Sequence, residues 1–444
     1  MKVGIDCMAF DVPKIHLQIE NLANERGIEP GKLINGLGLK RMTLPDVHQD
    51  IICFAANAAV KLIEQNNIDL STVSRIYVGT ESGIDSSKPA ASYILSLLED
   101  QFQISLGNCD AVDFKFACIG AVDALHNTLD FIRLNPGKKA IVVSTDIAKY
   151  DLASSGEYTQ GAGALAMLLC ADPRMISFSN EFGVSTAGVF DFFKPRRIFS
   201  KSQITGKAGN DPWMDILESE VSIYKEQPVF DGQYSNQCYI DRTRAAYENF
   251  KKEAKTETTP FTDWHNILMH LPYAFQGRRT FAEIYAGELT NVNLKDKNEV
   301  KALSKSKEYL DFVEERIAPS EKASSLVGNL YTGSIFMAIL SALSFYLEQE
   351  DEIAGKKMGF IAYGSGSKSK VFEVAVEKDW KSVIEPVELF AVLEQSTAID
   401  FDTYEGLHKK ELKHSILSPE NEFVLDYIEQ ENEVLKGARY YKWM

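Results

Sequence analysis

The sequence predicts an α/β protein whose sheets are covered by helices. Along the first 170 residues, apolar strand patterns at 75–80, 139–145 and 163–170 alternate with helical patterns at 50–68 and 91–98. This order produces parallel or mixed sheets. The chain has 444 residues, of which 45% are hydrophobic and 25% are charged, so it contains enough apolar material for a large core.

The second part of the chain has a looser pattern. Residues 183–239 are rich in aromatic, basic and turn-forming residues, and we expect a loop-rich surface around a site there. The helices and strands predicted after this stretch cover 242–255, 266–269, 298–316, 335–347 and 358–363. From Lys378 the chain is acidic with a helical pattern, and its aromatic end at 440–444 is predicted to pack as a supporting appendage.

The charge balance argues against several classes of partner. With 63 acidic and 47 basic residues, the net charge is −16. Nucleic acids and anionic membranes both require basic surface, so neither is an expected partner. The longest apolar run, at 162–171, is too short to span a bilayer. An anionic substrate would therefore need a local basic patch.

The cysteines and the amino terminus indicate a cytoplasmic protein with reduced thiols. The six cysteines are dispersed, without a Cys-x-x-Cys motif or a histidine at zinc-ligand spacing, so we expect no metal site. Asp6 interrupts the apolar amino terminus too early for a signal peptide.

Cys118 is the first candidate for a chemical role. Residues 112–117 form a strand pattern, and apolar residues at three- and four-residue spacing predict a helix that begins at Cys118. The free N–H groups and the dipole at a helix start favour a thiolate, which is the form of cysteine that attacks carbonyl carbon. The alternative is a small buried hydrophobic residue, the commoner role of a lone cysteine.

Glu81 and His270 are ambiguous in the same way. Glu81 follows a buried strand pattern beside small residues, but it could equally be a surface acid. His270 ends an apolar run, where a hydrogen-bonded structural histidine is common. Neither residue alone identifies a function.

Three glycine clusters, at 35–38, 160–163 and 364–367, lack the fingerprints of dinucleotide and phosphate loops. A tight turn explains the first cluster. In the other two, backbone N–H groups could face a developing oxyanion.

In combination, Glu81, Cys118 and His270 with their neighbours resemble the active-site motifs of the 3-hydroxy-3-methylglutaryl-CoA (HMG-CoA) synthase family, in the thiolase superfamily. The ordered matches that carry this resemblance are Gly4-Ile5-Asp6, Thr80-Glu81-Ser82, Ala117-Cys118, 144–150, 156–164, 229–232, 270–273, 328–334 and 363–367. So many ordered matches along most of the chain are hard to obtain by chance.

The chain departs from the family pattern after the histidine. The family usually has a lysine five residues beyond the histidine and another four residues later, where this chain has Phe275 and Arg279. The Glu-Pro-Thr turn of the family is Glu157-Tyr158-Thr159 here. The missing lysine puts in doubt one charged contact to the second acyl donor, although Arg278 and Arg279 could supply charge nearby.

The resemblance implies a thiolase-like layered αβαβα fold built from two related halves, each with a mixed five-stranded sheet. Residues 1–172 would form the half that carries Glu81 and Cys118. Residues 173–377 would form the half that carries His270, Asn329 and Ser365, and residues 378–444 would be a helical extension. The resemblance also implies a homodimer.

The implied reaction is an acyl transfer followed by a condensation. Cys118 would take an acetyl group from acetyl-CoA, and Glu81 would deprotonate its methyl group. The N–H groups of Cys118 and Ser365 would hold the thioester oxygen, while His270 and Asn329 would orient the ketone of acetoacetyl-CoA. Water would release HMG-CoA for the mevalonate pathway of isoprenoid biosynthesis, without a metal or other cofactor.

Further residues are assigned to substrate contacts on the same resemblance. Tyr150 and Thr159 are expected to help to orient the substrate. The cations expected to contact CoA are Lys194, Arg196, Arg197, Arg278 and Arg279.

Two alternatives remain open. An HMG synthase of polyketide β-branching would take its second acyl group from acyl carrier protein, and the loss of a lysine at Phe275 leans towards that branch. The longer matches at 156–164 and 328–334 favour free CoA substrates. A catalytically silent binding protein of the superfamily is the other alternative, and the retention of Glu81, Cys118 and His270 argues against it.

Overall fold

The computed structural model describes residues 1–207, 212–214, 216–256 and 258–444. The strands in this part of the chain are β1 Val3–Asp11, β2 Ile15–Gln18, β3 Arg41–Thr43, β4 Val73–Gly79, β5 Asp110–Phe114, β6 Lys139–Ala148, β7 Gly161–Ala171, β8 Ile176–Thr186, β9 Phe192–Phe193, β10 Arg197–Ser200, β11 Glu220–Ile223, β12 Val229–Phe230, β13 Trp264–Met269, β14 Lys357–Gly364, β15 Lys368–Val376, β16 Thr397–Ala398, β17 Phe423–Ile428 and β18 Arg439–Trp443.

The helices are α1 Ile19–Glu25, α2 Pro30–Leu37, α3 Ile51–Asn66, α4 Ala90–Phe102, α5 Gly120–Leu134, α6 Lys201–Thr205, α7 Gly232–Glu253, α8 Gln276–Leu289, α9 Lys297–Leu303, α10 Lys307–Arg316, α11 Ala318–Glu321, α12 Ser324–Val327, α13 Ser334–Glu348, α14 Trp380–Ile384, α15 Leu389–Glu394 and α16 Phe401–His408.

A mixed nine-stranded sheet organises the molecule, in the order β13-β14-β15-β8-β1-β7-β6-β4-β5. The strand β4 is parallel to β5 and β6, and β13 is parallel to β14, whereas β7 and β15 run antiparallel to their neighbours. The two halves meet where Gly4 pairs with Ser177 and Ile5 with Ile176. A Cβ atom at Gly4 would lie 1.9 Å from the carbonyl oxygen of Ile176, so glycine permits this close approach.

The expectation of two five-stranded sheets is correct for one half only. The amino-terminal half supplies β1, β4, β5, β6 and β7, whereas the described part of the other half supplies the four strands β8, β13, β14 and β15. The connection between α8 and α13 folds into the helices α9 to α12 and adds no strand to the main sheet.

Most predicted helices and strands are confirmed. The helix predicted at 50–68 is α3, and its N-cap Asp50 accepts hydrogen bonds from the backbone N–H groups of Ile52 and Cys53. The single helix predicted at 298–316 is divided into α9 and α10, because Ser306 caps a new helix by accepting a hydrogen bond from Tyr309 N. A serine favours such a cap over a helix interior.

The stretch predicted as loops, 183–239, contains short paired strands in its described part. The strands β9 and β12 form one antiparallel pair, and β10 and β11 form another. Residues 208–211 and 215 of the stretch lie outside the described residues.

One segment of the described chain, Tyr331–Glu348, is long and apolar enough to cross a membrane by length and composition. Within the protein, 83% of this segment is buried, and α13 contributes side chains to the largest hydrophobic core cluster. The segment therefore has the setting of a core helix.

The prediction of a helical carboxy-terminal extension is wrong for its last part. The helices α14 to α16 are followed by a hairpin of β17 and β18. Tyr427 stacks on Tyr440 at 4.6 Å between ring centroids, and Phe423 packs edge-on against Trp443 at 5.0 Å. Aromatic side chains suit such cross-strand pairs, which explains the strands. The domain bounds given above stay a prediction.

Candidate active site

A cavity of about 270 Å³ gathers side chains from both halves of the sheet. The predicted site residues among those that line it are Cys118, Tyr150, Thr159, His270, Arg279, Asn329 and Ser365. Glu81 joins them through a direct contact with Cys118. Residues more than 200 positions apart in the sequence therefore meet at one place.

The contact between Cys118 and Glu81 is made possible by a glycine. The thiol donates a hydrogen bond to Glu81, with 3.1 Å between Sγ and Oε1. Glu81 follows β4, and Cys118 precedes α5, which packs on that strand. A Cβ atom at Gly79 would lie 2.2 Å from the backbone nitrogen of Ala121, so only glycine allows α5 to approach the end of β4 this closely.

The expectation of a thiolate favoured by the helix start is wrong for the free site. The pKa of the Cys118 thiol is raised well above its ordinary value. Burial is the largest cause, and the neighbouring Glu81 carboxylate is the second. Cys118 lies among the apolar surfaces of Ala148, Tyr150 and Tyr331, which disfavour a charged sulfur. The thiol is therefore neutral in the free site, and Glu81 is placed to accept its proton.

Asp146 holds the Glu81 segment in place and was not identified from the sequence. Its Oδ1 atom accepts hydrogen bonds from the backbone N of Glu81 at 2.9 Å and from the hydroxyls of Thr80 and Ser82 at 3.0 and 2.8 Å. Its Oδ2 atom accepts from the N–H of Thr332 at 3.0 Å. Burial, with a contribution from Glu81, raises the pKa of Asp146 to about 6. The motif at 144–150 contained this residue, but its spacing gave no sign of these partners.

His270 lies at the end of β13 and is 1% exposed. Its backbone N–H donates to Ile361 O at 3.2 Å, and its carbonyl oxygen accepts from the Tyr239 hydroxyl at 2.5 Å. Burial lowers the pKa of His270 to about 3, so the imidazole is neutral. Its Nδ1 atom has no hydrogen-bond partner among the described residues, and a bound substrate could supply one.

Asn329 presents its amide nitrogen to the same cavity. Its Oδ1 atom accepts hydrogen bonds from Tyr331 N at 2.8 Å and from Ser334 Oγ at 3.1 Å, so the NH₂ end is left for a substrate. Its backbone N–H donates to Thr159 O at 2.9 Å, which joins the Asn329 turn to the Thr159 turn.

Ser365 lies in a turn pressed against the Cys118 segment. A Cβ atom at Gly364 would lie 2.8 Å from both Ile119 N and Phe116 O, so glycine is needed for this contact. Asp191, which the sequence also did not reveal, holds the turn by accepting from the Tyr363 hydroxyl at 2.6 Å and from Gly366 N at 2.7 Å.

Tyr150 and Thr159 form the third side of the cavity. The ring of Tyr150 packs edge-on against Phe230 and Phe192, at 5.5 and 6.4 Å between centroids. A Cβ atom at Gly156 would lie 2.1 Å from the Tyr150 ring. The Thr159 hydroxyl donates to Gly156 O at 2.8 Å. These contacts give the thiol dry, aromatic surroundings.

Of the five cations predicted to contact CoA, Arg279 is the one that lines the cavity within the described structure. It is exposed, and its guanidinium donates to Gly36 O at 2.5 Å. Arg196 donates to Ser86 Oγ at 2.8 Å, and Arg197 lies on β10. Lys194 contacts Glu81 instead, with 3.4 Å between Nζ and Oε2.

Arg278 makes contacts within the fold and does not line the cavity. It forms a bidentate ion pair with Glu321, which is 3% exposed, and its guanidinium stacks on the ring of Phe275 at 3.8 Å. Phe275 in turn packs on Gly38, where a Cβ atom would lie 2.5 Å from its ring. The residue that replaces the usual lysine therefore packs the glycine turn at 36–38 against α8.

A thiol and a carboxylate from one half of the sheet, facing a histidine and an asparagine from the other half, define an acyl-transferring condensing enzyme with a thiolase-like fold. The family model for the hydroxymethylglutaryl-coenzyme A synthase N terminal domain matches residues 1–174, and the model for the C terminal domain matches residues 219–422. The chain belongs to the hydroxymethylglutaryl-CoA synthase family.

Known proteins agree with this assignment. Curated hydroxymethylglutaryl-CoA synthases of Haloferax volcanii and Enterococcus faecalis are each 30% identical, over 95% and 94% of this chain and 96% and 94% of their own lengths. A structure described as MvaS in complex with 3-hydroxy-3-methylglutaryl coenzyme A has a TM-score of 0.83 and 27% identity, covering 100% of this chain and 99% of its own. The HMG synthase of the curacin pathway, 19% identical with a TM-score of 0.78 and full coverage of both chains, shares the fold. The predicted family and fold are confirmed.

Proposed function

We propose that the chain condenses acetyl-CoA with acetoacetyl-CoA to give HMG-CoA and free CoA, as a hydroxymethylglutaryl-CoA synthase of the mevalonate pathway. The observation that carries this proposal is the hydrogen bond from Cys118 to Glu81, 3.1 Å long, in a cavity that His270 and Asn329 also line. A nucleophile, a base and a group that binds the second carbonyl are the parts that such a condensation needs.

In the first half-reaction the Cys118 sulfur attacks the carbonyl carbon of acetyl-CoA. Because Glu81 accepts the thiol hydrogen bond, it takes the proton as the S–C bond forms. The departing CoA sulfur takes up this proton from Glu81, which restores the carboxylate and leaves Cys118 as an acetyl thioester. The backbone N–H groups of Cys118 and Ser365 hold the thioester oxygen, in line with the close packing of the 364–366 turn on the cysteine segment.

In the second half-reaction Glu81 removes a proton from the acetyl methyl group. The resulting enolate adds to the ketone carbon of acetoacetyl-CoA, and the alkoxide that forms takes up the proton that Glu81 removed, which restores the carboxylate. His270 is neutral because its burial lowers its pKa to about 3, so it acts as a hydrogen-bonding group to the ketone oxygen, together with the amide of Asn329. Water then cleaves the thioester and restores the Cys118 thiol.

No cofactor is assigned, since the Cys118 thiol, the Glu81 carboxylate and water account for every bond and proton in this sequence of steps. Arg279 is the candidate contact for the anionic part of CoA because it is exposed at the cavity. A cytoplasmic location is supported by the relative of Rattus norvegicus, 28% identical, whose name includes that term.

We also propose a homodimer. The strand β5 is the last strand of the main sheet, and its Val112 side chain is 39% exposed. A strand edge of this kind can pair with the same strand of a second copy, which would extend the sheet across a two-fold axis.

The test supplies purified protein with acetyl-CoA and acetoacetyl-CoA and no carrier protein. We expect HMG-CoA at about one turnover per second or faster. Because Phe275 is explained by its packing on Gly38 and Arg278, it no longer favours a carrier-bound substrate. Turnover only with a ketone loaded on acyl carrier protein would contradict the choice of free CoA, and no acetyl thioester on the protein would favour a silent binding protein.

A further inference from the structure

Lys194 is a buried cation in direct contact with the catalytic carboxylate. Its side chain is 10% exposed, and its Nζ atom lies 3.4 Å from Glu81 Oε2 and 3.4 Å from the Glu81 carbonyl oxygen. The same ammonium group lies 4.4 Å from the centroid of the Tyr331 ring. These contacts enclose the charge of Lys194 within the protein.

Lys194 lies on the side of Glu81 away from the thiol. The two carboxylate oxygens have different partners, since Oε1 accepts from Cys118 and Oε2 faces Lys194. Lys194 lines a separate cavity of about 550 Å³ together with Ser82 and Gly83, whereas Cys118 lines the substrate cavity. Lys194 does not line the substrate cavity, and its contact with the reacting groups is the ion pair with Glu81.

The charges around Lys194 keep it protonated. Burial lowers the pKa of its ammonium group, but the carboxylates of Glu81 and Asp146 outweigh burial and the pKa is raised overall. The titratable groups that face this pair from neighbouring elements are Cys118, Asp146, Tyr150, Tyr224 and Tyr331. The cations Lys149 and Lys410 line the same cavity as Lys194, but both pair with Glu226. The cation in contact with Glu81 is Lys194.

The segment that carries Lys194 is fixed to the opposite half of the site. Asp191, three residues earlier, accepts hydrogen bonds from Tyr363 and Gly366 in the turn that contains Ser365. Between them, Phe192 pairs with Phe230 of β12 and packs on Tyr331 at 5.9 Å between ring centroids. The position of Lys194 is thus set by these contacts within the carboxy-terminal half and by its ion pair with Glu81 of the amino-terminal half.

We propose that Lys194 is the positioning residue of the general base, and that the ion pair between its ammonium group and Glu81 stabilises the carboxylate and directs it at Cys118. The inference rests on the proposed function, because it assigns a partner to the base of that reaction. A cation at this distance stabilises a buried carboxylate, and its loss would leave Glu81 beside the carboxylate of Asp146 without a counter-ion. The charged form of the base would then lose its ion-pair partner, an effect that a pH profile of the reaction measures.

The experiment compares Lys194→Met, Lys194→Gln and Lys194→Arg with the wild type by measuring condensation from pH 5 to pH 9. In the neutral variants the acidic limb of the pH profile should move up by about one pH unit, which lowers the rate about 10-fold on that limb and leaves it close to the wild type towards pH 9. Lys194→Arg should retain the wild-type limb. Lys225→Met is the matched control, because Lys225 pairs with Asp151 in a more exposed setting, and it should leave the profile unchanged.

An acidic limb that stays in place in both neutral variants, whatever their rates, would overturn the assignment of Lys194 while leaving the proposed function intact. The Met and Gln side chains differ in shape, so if one neutral variant does not fold, the pH profile of the other still tests the role of Lys194. An inactive wild type that forms no acetyl thioester would overturn the proposed function, and this inference with it.

Discussion

The two walls of the active-site cavity differ in their electrostatics. On the amino-terminal wall, ionisable groups are in contact. Glu81 accepts a hydrogen bond from Cys118 with one carboxylate oxygen and forms an ion pair with Lys194 through the other. Asp146 accepts a hydrogen bond from the backbone N–H of Glu81. The carboxy-terminal wall presents His270 and Asn329, which are neutral in the free site. Burial has opposite effects on the two walls, since it raises the pKa of the thiol and lowers that of the imidazole.

This difference assigns separate tasks to the two halves of the fold. Proton transfer requires a proton acceptor in contact with the nucleophile, and both groups lie on the amino-terminal wall. A ketone is oriented by neutral hydrogen-bonding groups, and these lie on the opposite wall. Variants on the first wall should therefore change the protonation steps and their pH dependence, and variants on the second wall should change the rate of condensation without moving the pH profile.

The largest effect is expected for Cys118→Ser. A serine hydroxyl at this position cannot form the thioester, so the turnover rate should fall by at least about 10⁴-fold. Peptide mass spectrometry after incubation with acetyl-CoA should find the acetyl group on Cys118 of the wild type. Cys109→Ser is the control, because that residue lies outside the cavity. An acetyl thioester at another cysteine would contradict the assignment.

Glu81→Ala should separate the two half-reactions. Loss of the base should slow condensation by about 10² to 10⁴-fold. The acetyl thioester should still form, although more slowly, because the variant removes the carboxylate that accepts the thiol proton but also removes one of the groups that raise the pKa of the thiol. Labelled acetyl-CoA measures the first half-reaction directly. Equal losses in both half-reactions, with an intact fold, would instead make Glu81 a residue that positions the thiol.

His270→Gln tests the neutral wall. The variant keeps a hydrogen-bonding side chain but changes its geometry, so condensation should fall by about 10²-fold while acetylation persists. The pKa of His270 is about 3, so the ring stays neutral above that pH and its removal should not shift the acidic limb of the profile. A shifted limb would show that the imidazole titrates during turnover and would remove the contrast between the walls.

The low pKa of His270 also predicts how the stability of the fold depends on pH. An unfolded histidine binds a proton below about pH 6.5, whereas His270 in the fold does so only near pH 3. The unfolded state therefore gains protons first, and its histidine lowers the stability of the fold as the pH falls from 6.5 towards 3. Urea unfolding at pH 7 and pH 5 should show a smaller loss of stability in His270→Gln than in the wild type.

Local patterns predicted much of this fold because they depend on neighbouring residues. The helices α3, α5 and α13 and the strands β4, β6 and β7 follow from apolar spacing alone. The single helix predicted at 298–316 and the helical tail were wrong, because a capping serine and cross-strand aromatic pairs decided those segments. The residues that make such contacts are close together in the structure, but the spacing of apolar residues in the sequence does not reveal the contacts.

The candidate site was predictable only through its resemblance to a family. Glu81, Cys118 and His270 were each ambiguous alone, and the motifs gave their identities but not their protonation states. The raised pKa of Cys118 arises from burial and a partner 37 residues earlier. Asp146 and the true position of Lys194 depend on contacts across the two halves, and Asp191 depends on partners more than 170 residues later in the chain. No short stretch of sequence records such contacts.

The smallest effect is expected at the carboxy-terminal extension, where α16 supports the amino-terminal wall. The Tyr404 hydroxyl donates to Glu157 Oε1 at 2.8 Å and accepts from Gln160 Nε2 at 3.0 Å. Gln160 in turn accepts from the backbone N of Tyr150 at 2.9 Å. Tyr404→Phe removes both hydroxyl contacts and should lower the free energy of unfolding by about 1 kcal/mol.

The same variant should reduce acetylation a few-fold, since it loosens the support of Tyr150 beside the thiol, and should leave the affinity for the ketone substrate unchanged. Urea unfolding and the rate of thioester formation measure the two effects. Tyr427→Phe is the matched control, because its side chain is 47% exposed on the hairpin. If both variants behave alike, α16 is an appendage without influence on the site; if Tyr404→Phe weakens ketone binding instead, α16 acts on both walls and the division between them is less sharp.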